Sequence, residues 1–177
     1  MPILERARSA LLLVDFQARL MPAIDDATQV VANARRLLDA AQLFDIPVML
    51  TEQNADGLGP TVPELRSAAA RTAAKMTFDA TRMPGFLAAL PDRPDLVIAG
   101  CETHVCVLQT VLGLLRAGRR IVVVRDAVGS RRAESKEAAI NRMERNGAEI
   151  VTTEMVLFEW LETATDKRLR AVLDLVR

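Results

Sequence analysis

Five short, almost wholly apolar runs, each followed by a longer stretch with helical spacing, constrain this chain more than any other feature. The runs cover residues 10–14, 48–51, 96–100, 121–125 and 150–152. A strand that is apolar at successive positions, rather than at alternate ones, is covered on both faces, and such strands belong to parallel sheets layered by helices. Their alternation with helical segments is a βαβ pattern. The expected fold class is therefore α/β, a three-layer α/β/α sandwich around a parallel sheet of five or six strands. The clearest helices span about 28–44, 105–117 and 133–146, and Gly118 and Gly147 supply stops for the last two.

Between the second and third runs, Pro60, Pro63, Pro84, Pro91 and Pro94 break up residues 53–94. This stretch reads as a long excursion with short helices, including the alanine-rich residues 67–74, and excursions of that size often wall a substrate pocket. Near the end, Val156, Leu157, Trp160 and Leu161, then Leu169, Val172, Leu173 and Val176, recur at helical spacing. Such stripes serve either core packing or a subunit interface, and a homo-oligomer is expected from the second use. No repeat or linker divides the 177 residues, so one domain spanning 1–177 is expected.

Charge narrows the partners. The chain has 23 Lys and Arg against 23 Asp and Glu, a net charge of zero, with no basic block. Nucleic acid and membrane surfaces demand a concentrated positive field, so neither is expected, and a small-molecule substrate is. The first apolar run is too short for a signal peptide and meets Asp15 at once, and no stretch approaches membrane-spanning length. With Cys101 and Cys106 the only cysteines, reduced thiols in a cytoplasmic setting are expected.

Open parallel sheets bind ligands beyond the carboxyl ends of their strands. The residues found there are Asp15, Thr51 to Gln53, Gly100 to Cys106, and Asp126. Cys106 opens a helix, where the positive end of the backbone dipole and unpaired N–H groups favour a thiolate. It shares a face with Gln109, Thr110 and Gly113, while Val105, Leu108, Leu112 and Leu115 form the core stripe. That face is expected to be open, although free cysteine more often packs as a small hydrophobe. Asp15 fits either a cleft carboxylate or a turn acceptor. Lys75, one of three lysines, fits either a compact charge within a site or a snorkelling side chain. His104 is the sole histidine, so a site needing two imidazoles is excluded. No metal and no cofactor are expected. Two residues from Cys106, His104 points to a different face and reads as a pocket-rim residue.

Taken together, Leu13-Val14-Asp15, the later Lys75 and Gly100-Cys-Glu-Thr103-His-Val-Cys106-Val107 resemble the isochorismatase-like family of cysteine hydrolases. The stretch from Glu102 to Thr110, with Thr51-Glu-Gln53, Leu58-Gly-Pro-Thr61, Val123-Val-Arg-Asp-Ala127, Ser130-Arg131 and Thr152-Thr-Glu154, is similar to its isochorismatase-domain-containing subgroup. The resemblance covers nearly the whole chain. It implies a Rossmann-like parallel sheet of six strands, a catalytic Asp15, Lys75 and Cys106, and a cis peptide between Cys101 and Glu102. It further implies an oxyanion hole from the N–H groups of Glu102 and Cys106. Phe16, Gln17, Gln53, Thr103 and His104 are assigned to the substrate pocket. The implied reaction is thiolate attack on a small amide, imide or carbamoyl group. Nicotinamidases of this family add metal-binding histidines, which this chain lacks, and true isochorismatases generally lack the cysteine. A ligand-binding module and a redox sensor, with Cys101 resolving Cys106, are the alternatives on the same fold.

Overall fold

The computed structural model describes residues 3–177. The apolar runs become strands β1 (Ser9–Val14), β2 (Val48–Gln53), β4 (Asp95–Cys101), β5 (Arg120–Gly129) and β6 (Glu149–Val151), with β3 (Arg71–Lys75) between the second and third. All pair in parallel in the order β3-β2-β1-β4-β5-β6. β1 and β4, at the middle of the sheet, are buried at every residue, which is why their sequences carry no polar alternation.

β3 corrects the sequence-based expectation. The alanine-rich residues 67–74 read as a short helix, yet Arg71–Lys75 pairs with β2, from Met49 opposite Arg71 to Gln53 opposite Lys75. Alanine favours a helix locally, but the open edge of β2 offers a ladder of backbone partners that outweighs this small preference. As an edge strand it is mostly exposed, so it leaves no apolar run to be read.

The helices are α1 (Ala27–Leu43), the single turns α2 (Ala55–Leu58) and α3 (Phe86–Ala89), α4 (Leu108–Arg116), α5 (Ala133–Arg145), α6 (Thr153–Leu161) and α7 (Leu169–Val176). Strand residues divide between two apolar layers. Leu11 and Leu13 of β1, with Val97 and Ala99 of β4, meet α1, α6 and α7, whereas Ala10, Leu12, Val14, Leu96 and Ile98 meet α3, α4 and α5. The sandwich is thus helix, sheet, helix. The first stripe near the end belongs to this chain's own core, with Val156, Leu157, Trp160 and Leu161 buried; of the second, Val172 is buried and Leu169 and Val176 pack against the same core, while Leu173 is half-buried outside both layers.

The order of strands places a switch point at β1 and β4. From β1 the chain winds outward to β2 and β3, then returns beside β1 as β4 and winds the other way. Loops leaving the two strands diverge, opening a crevice at their carboxyl ends. Gly100 lets the strands close up there, since a Cβ on it would fall 2.5 Å from the Val14 carbonyl oxygen. Among the described residues no helix is long and apolar enough to cross a membrane.

Candidate active site

Asp15 is the first residue beyond β1, in the left-handed backbone region at φ 53° that aspartate tolerates better than most residues. Its N–H donates to the Thr51 carbonyl at 3.1 Å. Its carboxylate is held at both oxygens: Oδ1 accepts from Thr51 Oγ1 at 2.6 Å and Oδ2 from Lys75 Nζ at 2.7 Å. Lys75, the last residue of β3, also donates to Gln53 Oε1 at 2.9 Å. Both charged side chains are sealed from solvent. Removing two ions from water costs several kcal/mol each, so a sealed pair is a poor way to add stability and a good way to fix a charge in place.

Amide groups hold that pair. Gln53 Nε2 donates to the Met76 carbonyl, and the Gln53 backbone N–H donates to Gln17 Oε1 at 2.8 Å. Gln17 Nε2 in turn donates to the carbonyls of Gln53 and Gly59. Gln17 and Gln53 are therefore committed to the scaffold beneath Lys75, where pocket-lining roles were expected. Phe16 is buried in the layer on the α1 side of the sheet, the opposite side from Cys106, and the structure does not bring it to the thiol.

Cys106 sits in a π-helical turn, Thr103–Val107, that precedes α4, so the helix begins three residues later than its sequence suggests. The peptide between Cys101 and Glu102 is cis. Both Asp15 and Lys75 act on the thiol. Burial pushes its pKa up to about 12, Asp15 adds to the rise, and Lys75 opposes it. This reverses the expectation of a helix-start thiolate: desolvation and a nearby carboxylate outweigh the dipole. At neutral pH the group is a thiol, and a base must take its proton before it can attack.

The face around the thiol is also more covered than expected. Thr110 Oγ1, one turn along, accepts from Ala80 N–H at 3.1 Å and lies 3.4 Å from the Phe78 carbonyl, to which it donates. A Cβ on Gly113 would fall 2.7 Å from Asp79 Oδ1. The segment following Lys75 thus lies across α4, and Cys106 is only 7% exposed. A hollow of about 380 Å³ reaches Lys75 between Asn54, Asp56, Met76 and Met83.

The other junction residues differ in use. Thr103 is buried and its hydroxyl has no hydrogen-bond partner among the described residues. His104 is half-buried, with Nδ1 3.0 Å from Ser130 Oγ. Glu102 accepts from the backbone N–H and Nε of Arg131, each at 3.0 Å. Cys101 is buried in the layer opposite Cys106, so the structure separates the two thiols that a redox pair would join. No cluster of three or more His, Cys, Asp or Glu side chains suited to a metal occurs among the described residues. Thr51, the second donor to Asp15, carried its place after a strand and its part in the Thr51-Glu-Gln53 resemblance as sequence signals, and the pairing of Val14 with Thr51 supplies the rest.

Comparison with known proteins places this arrangement. Residues 9–155 match the isochorismatase domain. Isochorismatase domain-containing protein 2A of Mus musculus is 35% identical over 96% of this chain and 82% of its own length. The structure of MAR1 ribonuclease from Caenorhabditis elegans has a TM-score of 0.93 at 31% identity, covering 99% of this chain and 92% of the other. The YcaC gene product of Escherichia coli, an octameric hydrolase of unknown specificity, also reaches 0.93, at 29% identity over 99% and 91%. YcaC from Pseudomonas aeruginosa, solved with hexane-2,5-diol and covalent acrylamide, has a TM-score of 0.88 at 30% identity over 98% and 95%. The matched domain covers most of the strands and helices described above, and the whole chain superposes on these folds: the protein belongs to the isochorismatase family and has its hydrolase fold.

Proposed function

We propose that this protein is a cysteine hydrolase cleaving a small amide, imide or carbamoyl C–N bond, with Cys106 as nucleophile, Asp15 as proton carrier and Lys75 as fixed counter-charge. The observation that carries this reading is a sealed Asp15–Lys75 pair acting on a protonated thiol at the switch point of the sheet. Asp15 accepts the proton from Sγ as sulfur bonds to the substrate carbonyl carbon, and the C=O electrons move onto oxygen. The N–H groups of Glu102 and Cys106 are assigned to that oxyanion. Collapse re-forms the carbonyl and breaks the C–N bond, while Asp15 returns its proton to the leaving nitrogen. Water then attacks the thioester, giving one proton to Asp15, and the restored thiol leaves with it. Lys75 serves throughout as the counter-charge hydrogen-bonded to Asp15, with Thr51 steadying the other oxygen.

Every proton transfer in this scheme is carried by the thiol and carboxylate, so neither metal nor cofactor is required. The covalent acrylamide in the P. aeruginosa relative supports the reading, since acrylamide is both an amide and a thiol-reactive electrophile. Three structural relatives carry the word ribonuclease in their names, but zero net charge and a nearly sealed thiol favour a small molecule over RNA here. A homo-oligomer is proposed after the octameric E. coli relative, and a cytoplasmic location from the two free thiols.

Intact-mass measurement against a panel of amides and activated esters tests the proposal. An acyl adduct on the wild type is expected. Cys106→Ala should lose the adduct and lower turnover by roughly four orders of magnitude or more while remaining folded. Undiminished activity in Cys106→Ala would overturn it, and tight binding without any adduct would favour a binding module.

A further inference from the structure

β3 is the exposed edge of the sheet: β2 pairs with one side of it, and among the described residues no strand pairs with the other. One hydrogen bond fixes which of its backbone groups face outward. The Lys75 carbonyl accepts from the Asn54 N–H at 2.9 Å, so the backbone of Lys75 turns toward β2. Successive strand residues turn their N–H and C=O groups to opposite sides. Arg71 and Ala73 therefore face β2 with Lys75, whereas Thr72 and Ala74 direct both backbone groups away from the sheet. Both residues are exposed, and none of these groups has a hydrogen-bond partner among the described residues. Natural sheets blunt an open edge with proline or a bulge, and β3 has neither.

The side chains around this edge fit a second copy of the chain. A copy lying antiparallel, with the two-fold axis at Ala73, sets Thr72 opposite Ala74 of the partner subunit, and each such pair exchanges N–H and C=O bonds. The same register carries Arg71 of the partner subunit to the level of Lys75, at the hollow that Asp56, Met76 and Met83 line. Lys75 is already matched by Asp15. Arg71 and Asp56 are both exposed, and neither enters an ion pair among the described residues. Two-fold pairing gives each of them an opposite charge, whereas a parallel copy in register would set Arg71 against Arg71. Beyond the strand, Met76 is 73% and Phe78 53% exposed, and the partner's chain preceding its own β3 passes over them.

We propose that two copies of this chain join through antiparallel β3 edges, so that their sheets become continuous. The inference rests on the proposed homo-oligomer and names one of its contacts. A contact that is the same patch on both copies is a building unit of closed assemblies such as the octameric E. coli relative. It also secures the strand whose last residue is Lys75.

Native mass spectrometry over a dilution series tests the contact. Thr72→Pro removes an outward N–H and no bond to β2, so the chain should stay folded by circular dichroism while its dissociation constant rises roughly a hundredfold. Thr72→Val keeps the N–H and should assemble like the wild type. Asp56→Arg and Arg71→Asp should each weaken assembly, and the double variant should restore it; this arm decides the question if proline unfolds the chain. Wild-type assembly of a folded Thr72→Pro, or charge variants that neither weaken singly nor recover together, would overturn the edge contact while leaving the oligomer in place. A monomeric wild type would overturn both.

Discussion

Removing the Asp15 carboxylate strands an ammonium that has no water around it. Asp15→Asn should therefore destabilise the protein by about 3–5 kcal/mol, measured by urea denaturation. Adding Lys75→Met removes the stranded charge, and the double variant should regain most of that loss while remaining without turnover. A double variant no more stable than Asp15→Asn would mean that the ion pair itself holds the fold. The sequence marks Asp15, Lys75 and Cys106 because position after a strand, rarity and helix-start placement are local properties. It places the donors Thr51 and Gln53 beyond a strand end but does not mark which groups they bond. Thr51 and Gln53 reach Asp15 and Lys75 through strand register, Val14 opposite Thr51 and Gln53 opposite Lys75, which depends on two segments at once. The thiol's ionisation fails to be legible for a similar reason: the dipole is local, but burial comes from the assembled layers.

Gly113 offers a test at the level of elements because two rules predict opposite signs. In an exposed helix, glycine to alanine gains up to about 1 kcal/mol. Here the added methyl would meet Thr81 and Asp79 of the segment lying across α4, so Gly113→Ala should instead cost about 1–3 kcal/mol in thermal denaturation. A stabilised variant would show that this segment stands clear of the helix. Helices α1 and α5 and the two central strands were legible nearly to the residue, because amphipathic spacing and continuous apolar runs record burial directly. β3 was not: its exposed edge leaves only alanines, threonine and two cations, and only its neighbour makes it a strand. The π-helical turn before α4 also escapes reading, since its residues carry the same apolar spacing as the helix that follows.

For the molecule as a whole, light scattering coupled to size exclusion should give a mass of at least twice that of the chain, as in the octameric relative. A monomer at micromolar concentration would refute the oligomer. The layered α/β class was legible from the apolar runs alone, and of the end stripes, which fitted either core or interface, the first is core and the second is core except for the half-buried Leu173. The sheet order has one more consequence. Between β1 and β4 runs a seam: three strands on one side come from the first 75 residues, and three on the other from residue 95 onward. The acid–base pair belongs wholly to the earlier half and the thiol to the later one. Under the proposed mechanism, a ribosome releasing the chain from its beginning therefore exposes a base with no nucleophile to activate. The emerging polypeptide should turn over no substrate until β4 pairs with β1 and brings the later half to the earlier one.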